Sequence, residues 1–112
     1  SKNFVLKEFQ CKDGSYQVVL KCDLLDKLQR LRDLADKPVI ITSGYRNAAY
    51  NLKVGGSPTS RHMRGEAADI QIPGLSPQQV AELAEQVGFK GIGVYDTFTH
   101  VDVRGVPAKW RG

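Results

Sequence analysis

The sequence lacks several features that define large classes of protein. No stretch approaches the roughly 20 apolar residues of a membrane-spanning helix, and the amino-terminal residues lack the charged-then-apolar pattern of a signal peptide. Internal repeats, low-complexity tracts and interdomain linkers are also absent. We therefore expect a single domain over residues 1–112 that does not insert into a membrane.

Runs of like charge are missing as well. The 16 Lys and Arg residues against 12 Asp and Glu residues give a formal net charge of +4, scattered along the chain. Because nucleic-acid-binding domains usually gather their basic residues into a patch or stripe, we expect no nucleic-acid partner. A mild positive charge is also compatible with attraction to a polyanionic surface, such as a bacterial wall.

Cysteine is scarce. Cys11 and Cys22 flank an Asp13-Gly14 pair, which is a hairpin-turn signal able to bring the flanking segments together. A disulfide in an oxidising compartment and two buried free thiols are both compatible with this pattern. Neither cysteine lies near a second cysteine or a histidine at ligand spacing, so we expect neither to bind a metal.

Hydrophobic periodicity predicts two long helices. The first begins at Asp23 as N-cap and ends at Lys37-Pro38, and the second has Ser76 as N-cap, Pro77 in its first turn and Gly88 at its end. Their predicted buried positions are Leu24, Leu25, Leu28, Leu31 and Leu34 in the first helix and Val80, Leu83, Ala84 and Val87 in the second.

Shorter patterns predict the strands. We expect strands at residues 16–20, 39–42, 67–72, 91–95 and 99–104, with a short helix at 48–51 and a hairpin turn at Asp96-Thr97. Helices and strands do not alternate regularly in this order. The predicted class is therefore α+β, with a small antiparallel sheet and helices packed on one side.

Histidine is the most informative scarce residue, because there are only two. His62 precedes Asp69 by seven residues, and Gly65 between them permits a backbone turn. His100 and Asp102 are two apart in a predicted strand and therefore share a face. Two imidazoles and one carboxylate are ligands that zinc accepts, and three ligands leave a fourth position open for water. The pattern predicts a metal site of the hydrolytic type.

Amide hydrolysis at such a site also needs a general base and a cation for the oxyanion. Asp102 and Asp96 are the candidate bases, and Arg46, in a loop after a buried strand, is the candidate cation. The alternatives are that Arg46 is a surface arginine and that Asp102 only orients a ligand or a basic side chain. Trp110 is compatible with either a cleft wall or a core cap.

Several short motifs follow one another in a fixed order, and the ordered set is more specific than any one of them. The motifs are Ser43-Gly44-Tyr45-Arg46, Asn51, Gly55-Gly56, Ser60-x-His62-x-x-Gly65-x-Ala67-x-Asp69, Gly91-Ile92-Gly93-Val94-Tyr95 and His100-Val101-Asp102-Val103-Arg104. Together they resemble the zinc D-alanyl-D-alanine carboxypeptidase family, which includes murein endopeptidases and phage wall peptidases and shares its fold with hedgehog signalling domains. The chain is similar to the short, single-domain branch carried by bacteria and their phages.

The resemblance implies roles for particular residues. His62, Asp69 and His100 would be the zinc ligands, Arg46 would contact the scissile carbonyl or the oxyanion, and Ser60 would help to hold the substrate. In relatives the base lies three or two residues before the last ligand, and those positions here are Thr97 and Phe98. Asp102 therefore stays the first candidate base and Asp96 the second.

The function that the resemblance implies is zinc-dependent hydrolysis of peptidoglycan peptides, at a bond involving a D-amino acid. We expect a monomer that acts outside the cell or at the cell wall. The protein would arrive there by phage-type release or would be trimmed from a longer precursor. The alternative is a non-catalytic binding or structural module that keeps the zinc, as the hedgehog signalling domain is usually viewed.

Overall fold

The computed structural model describes residue 4 and residues 6–15, 17–57 and 59–112. The helices in these residues are α1 (Cys22–Ala35), α2 (Ala48–Lys53) and α3 (Pro77–Gln86), with 3-10 helices at Leu6–Phe9 and Arg61–Arg64. The strands are β1 (Ile40–Ser43), β2 (Ala67–Gln71), β3 (Gly91–Val94), β4 (Thr99–Asp102) and β5 (Ala108–Arg111).

The strands form one sheet in the order β1-β2-β4-β3-β5. Every neighbouring pair is antiparallel except β3 and β5, which run parallel. The predicted α+β class is confirmed, but the sheet is mixed rather than purely antiparallel. Strand β5 was not predicted, because its four residues include Lys109 and Arg111 and follow no apolar run.

The two faces of the sheet differ in chemistry. Ala68 and Ile70 on β2 and Val101 on β4 point into the core, where each is fully buried. Because side chains alternate along a strand, Asp69 and His100 project from the opposite face. The residues that carry the candidate chemistry are thus anchored by strands whose other face holds the hydrophobic core.

Helix α1 contributes Leu24, Leu28 and Leu31 to that core. The prediction for Leu34 is wrong: its side chain is 47% exposed, whereas the neighbouring Ala35 in the same turn packs against the core. The predicted N-cap is also wrong, since α1 begins at Cys22 after Lys21 and has no side-chain cap.

Helix α3 begins as the sequence predicts. Ser76 accepts a hydrogen bond from the backbone of Gln79, whose side chain accepts one in return from the Ser76 backbone, and Pro77 occupies the first turn. The hydroxyl of Thr99 donates to the Pro77 carbonyl oxygen over 2.8 Å and ties the helix to β4. Val80, Ala81 and Ala84 are buried, whereas Leu83 and Val87 are only partly buried.

The strand predicted at 16–20 is wrong over residues 17–20, which form no ladder; residue 16 lies outside the described residues. Isolated backbone bonds hold this stretch instead, from Cys11 to Gln17 and from Lys21 to Gly65. Both cysteines are free thiols, Cys11 buried and Cys22 exposed. None of the helices in the described part of the chain is long and apolar enough to cross a membrane.

Candidate metal centre and cleft

Three metal-binding side chains converge beside the sheet. Asp69 on β2 lies opposite His100 on β4 in the antiparallel register, and His62 comes from the 3-10 helix Arg61–Arg64. One ligand atom from each lies within 4.8 Å of the other two. Asp69 Oδ1 is 3.2 Å from His62 Nε2 and 3.1 Å from His100 Nδ1. Ligand atoms of a tetrahedral zinc with bonds of about 2 Å are about 3.3 Å apart, so the two separations from Asp69 Oδ1 fit the ion.

The ring of His62 is oriented by the backbone. Its Nδ1 lies 2.8 Å from the Gly44 carbonyl oxygen, which can only accept, so Nδ1 carries the hydrogen and Nε2 keeps its lone pair for the cluster. Ser60 caps the 3-10 helix by accepting a hydrogen bond from the His62 backbone over 3.2 Å. Gly65 ends this helix in the left-handed region at φ 69°, where a β-carbon would also collide with the Val19 carbonyl group.

A carboxylate orients the ring of His100. The His100 Nε2 atom lies 2.8 Å from Asp102 Oδ2, and a neutral ring that donates to Asp102 from Nε2 turns its Nδ1 lone pair toward Asp69. This second hydrogen bond is the arrangement that fixes the tautomer of metal-binding histidines. Both rings therefore present an unprotonated nitrogen to the same point when the imidazoles are neutral.

Asp102 is fully buried, and both of its carboxylate oxygens accept hydrogen bonds. Besides His100, Arg104 binds it three times: Nε to Oδ1 at 2.8 Å, Nη2 to Oδ2 at 2.7 Å and the backbone nitrogen to Oδ1 at 3.2 Å. Burial would raise the pKa of Asp102, but the hydrogen bonds from Arg104 and His100 outweigh burial and lower it. This geometry favours the alternative in which Asp102 orients a ligand over its candidacy as base.

Asp69 is held as an anion by its neighbours. Burial would raise its pKa, but hydrogen bonds and charges from His100 and His62 in their protonated forms outweigh burial and bring the pKa of Asp69 well below its ordinary value. Its second oxygen, Oδ2, accepts a hydrogen bond from Arg46 Nη2 over 3.2 Å. A negatively charged oxygen is thus available between the two imidazoles.

Arg46 lies in the cleft rather than on the surface, with a side chain that is 14% exposed. Three acceptors fix its guanidinium group: Ser43 Oγ at 3.1 Å, Asn51 Oδ1 at 3.3 Å and Asp69 Oδ2. Buried Asn51 is in turn held by the Ser57 carbonyl oxygen, 2.8 Å from its Nδ2. A β-carbon on Gly56 would collide with the Asn51 side chain, so that glycine leaves room for the pair.

Of the other residues that the sequence analysis considered, some line the cleft and one does not. Ser60 lines the cleft, close to His62, whereas Asp96 is exposed in the β3–β4 turn and is not among the residues that line the cleft. Trp110 lines the cleft, which is one of the two positions compatible with its place in the sequence.

The cleft has a volume of about 390 Å³. One wall is aromatic, made by Tyr95, Phe98 and Trp110, and another is rich in glycine and hydroxyl groups, made by residues 54–57, 59 and 60. The floor carries the His-Asp-His cluster and Arg46. A cluster of metal-binding side chains with a cation beside it is typical of the class of metal-dependent hydrolases.

Comparison with known families agrees with that class. Residues 2–102 match the Peptidase M15 family, and the chain belongs to it. The family resemblance seen in the sequence is therefore confirmed.

The relatives to which the chain is similar include a carboxypeptidase and an endopeptidase. The chain is 39% identical over 67 residues to the zinc D-Ala-D-Ala carboxypeptidase of Streptomyces albus G, covering 59% of this chain and 26% of that protein. It is 33% identical over 88 residues to the peptidoglycan L,D-endopeptidase MepK of Escherichia coli K12, covering 70% of this chain and 48% of that protein. The chain thus spans between about a quarter and a half of the length of these relatives.

Sequence reasoning named the cluster and missed its supports. Arg104 lies two residues after Asp102, just as Asp102 lies two residues after His100. Because residues two apart on a strand share a face, the sequence could have indicated that Arg104 lies beside Asp102. Asn51 and Tyr95 stood in the quoted motifs without a role, and only the fold brings Asn51 to Arg46 and Tyr95 to the cleft.

Proposed function

We propose that this chain is a zinc-dependent peptidase domain, monomeric, that hydrolyses peptide bonds of peptidoglycan at a D-amino acid. The observation that carries the proposal is the convergence of His62, Asp69 and His100 on one point beside Arg46, in a cleft open to solvent. Membership in the Peptidase M15 family and the names of the two wall-peptidase relatives support the substrate class.

The proposed ligand atoms are His62 Nε2, Asp69 Oδ1 and His100 Nδ1. The donor set of two imidazole nitrogens and one carboxylate fits zinc, and each imidazole is held by a hydrogen bond on its other nitrogen. When bound, zinc supplies a Lewis acid for the peptide carbonyl group and for the attacking water.

The protein's own residues then position the reactants. Arg46, fixed by three hydrogen bonds, would stabilise the negative charge that develops on the carbonyl oxygen. Ser60, on the cleft wall beside His62, would contact the substrate backbone. Asp102 would act through His100, holding its ring in the tautomer that leaves Nδ1 free, and we assign proton transfer to neither Asp102 nor Asp96.

An ordered guanidinium beside the cluster argues for catalysis over a purely structural zinc, because a scaffolding ion needs no cation at the reacting carbonyl. Because the substrate is cell-wall peptidoglycan, we propose that the domain acts outside the cell or at the wall.

The test is digestion of purified peptidoglycan sacculi with the zinc-loaded protein, followed by mass spectrometry of the muropeptides. Loss of terminal D-alanine would identify a carboxypeptidase, and conversion of cross-linked dimers to monomers or cleavage inside the stem would identify an endopeptidase. Muropeptides that stay unchanged, under conditions where a known wall peptidase cleaves them, would refute the proposal.

A further inference from the structure

We propose that the hydroxyl group of Tyr95 donates a hydrogen bond to an acceptor oxygen of the bound peptide, and that Trp110 positions it for this role. The proposal rests on the proposed function, since it deepens the description of the same cleft. Tyr95 would be a substrate-binding residue and Trp110 a positioning residue.

The argument begins with the hydrogen bond between the two side chains. Trp110 Nε1 lies 2.8 Å from the Tyr95 hydroxyl oxygen. An indole N–H can only donate, so the Tyr95 oxygen is the acceptor and its own O–H remains to be donated. Among the described residues no side chain or backbone group takes that hydrogen. An O–H without an internal acceptor, on a residue that lines the cleft, is available to a ligand.

The tyrosine ring has a fixed orientation. It stacks on Phe98 with ring centroids 4.5 Å apart and an interplanar angle of 8°. The stack on one side and the indole hydrogen bond at the hydroxyl together restrict the ring, so the O–H direction is set before a ligand arrives. Such preorganisation reduces the entropy lost on binding.

Trp110 is itself held between the sheet and the metal cluster. It lies opposite Gly93 in the β3–β5 register, and a β-carbon on Gly93 would collide with the indole. The Arg104 guanidinium lies over the indole, 5.0 Å from the ring centroid, and the His100 ring centroid is 5.2 Å away. The indole therefore contacts both Tyr95 in the aromatic wall and Arg104, which holds the Asp102 carboxylate that orients His100.

Strand β5, which carries Trp110, is fastened to α3. Lys109 pairs with Glu85, and Arg111 donates to Gln78. The family match ends at Asp102, so this strand lies beyond it. Tyr95 therefore lies within the matched residues, whereas its hydrogen-bond partner Trp110 lies after them.

The recognised group is an oxygen acceptor of a peptide, either a backbone carbonyl or a terminal carboxylate. The probes are diacetyl-L-lysyl-D-alanyl-D-alanine and the same peptide with a carboxyl-terminal amide. KM and kcat are measured with the zinc-loaded wild type, Tyr95→Phe, Trp110→Phe and the double variant. Tyr50→Phe is the matched control, because Tyr50 lies on α2 away from the lining of the cleft.

We expect Tyr95→Phe to raise KM roughly tenfold, as loss of one net hydrogen bond implies, with bound zinc and kcat much less affected. Trp110→Phe should raise KM in the wild-type background and add little in the Tyr95→Phe background. A much larger effect on the acid than on the amide identifies a charged carboxylate as the acceptor, and equal effects on the two peptides identify a neutral carbonyl oxygen. Unchanged KM for both peptides in Tyr95→Phe, or losses that simply multiply in the double variant, would overturn the proposal.

A readout independent of hydrolysis separates this proposal from the proposed function. Trp110 is the only tryptophan, so its fluorescence reports directly on the cleft. A peptide concentration at half-maximal fluorescence change that rises about tenfold in Tyr95→Phe upholds the role of Tyr95 even if no hydrolysis occurs. A half-maximal concentration equal to that of the wild type overturns it even if the wild type is an active peptidase.

Discussion

His100 Nε2 lies 2.8 Å from Asp102 Oδ2 although the two residues are only two positions apart on β4. Arg104 donates to both oxygens of Asp102 and so restrains the carboxylate in the position where it meets His100. The contact between His100 and Asp102 therefore fixes the orientation of the His100 imidazole ring.

Replacing Asp102 by Asn should weaken zinc binding about 10-fold to 100-fold, the range typical for losing a carboxylate that orients a metal-binding histidine. The measurement is competition with a chromophoric zinc chelator. Asp26→Asn, an exposed carboxylate on α1, is the control and should bind zinc as wild type does. Equal zinc affinity in Asp102→Asn and wild type would mean that the His100–Asp102 bond does not orient the ligand.

Replacing Arg46 by Lys should lower kcat/KM about 100-fold while one zinc per chain is retained. A lysine cannot reproduce the three hydrogen bonds that fix the guanidinium, so the charge would no longer be held beside the cluster. Steady-state kinetics with a wall peptide and metal analysis give the two quantities. Arg30→Lys on the exposed face of α1 is the matched control; comparable activity in both lysine variants would remove Arg46 from the mechanism.

Gly91 tests the packing beneath the cluster. Gly91 pairs with Asp102 across β3 and β4, and a β-carbon there would overlap the Asp102 carboxylate. Gly91→Ala should lower the free energy of unfolding by about 1–3 kcal/mol, as overpacking does, and urea denaturation measures it. Gly105→Ala, where a β-carbon meets nothing within 4 Å, should stay within about 0.5 kcal/mol of wild type. Equal stabilities would show that the Asp102 side chain can move aside freely.

Leu28 and Leu34 test the orientation of α1. Leu28 is 0% exposed and Leu34 is 47% exposed, although the sequence pattern predicted both as core. Leu28→Ala should lower the free energy of unfolding by about 2–5 kcal/mol, and Leu34→Ala by less than about 1 kcal/mol. If urea denaturation finds similar losses at the two positions, the face that α1 presents to the sheet has been misassigned.

Much of the fold and the site was predictable because it depends on local periodicity. The alternation of polar and apolar residues in β2 and β4 put Asp69, His100 and Asp102 on one face, and a chain with two histidines offers few other imidazole ligands. Ser76 and Pro77 marked the start of α3 for a similarly local reason.

What could not be predicted depends on contacts distant in sequence. Strand β5 forms by parallel pairing with β3, and its short charged sequence shows no periodic pattern. The hydrogen bonds from Arg104 to Asp102 depend on the rotamers of two side chains. Leu34 is exposed while Ala35 packs against the core, so burial in this turn depends on how α1 is rotated against its neighbours. The stretch at 17–20 alternates like a strand, but its hydrogen bonds go to separate loops and form no ladder.

The most direct test combines metal content with hydrolysis in one set of proteins. Zinc per chain and release of new amino groups from peptidoglycan are measured for wild type, His62→Ala, Asp69→Ala and His100→Ala, with Asp26→Asn as control. Wild type and the control should bind one zinc and release amino groups, chelation should abolish release and added zinc restore it, and the three ligand variants should lose both properties. Release that survives chelation and all three substitutions would contradict a zinc peptidase centred on His62, Asp69 and His100.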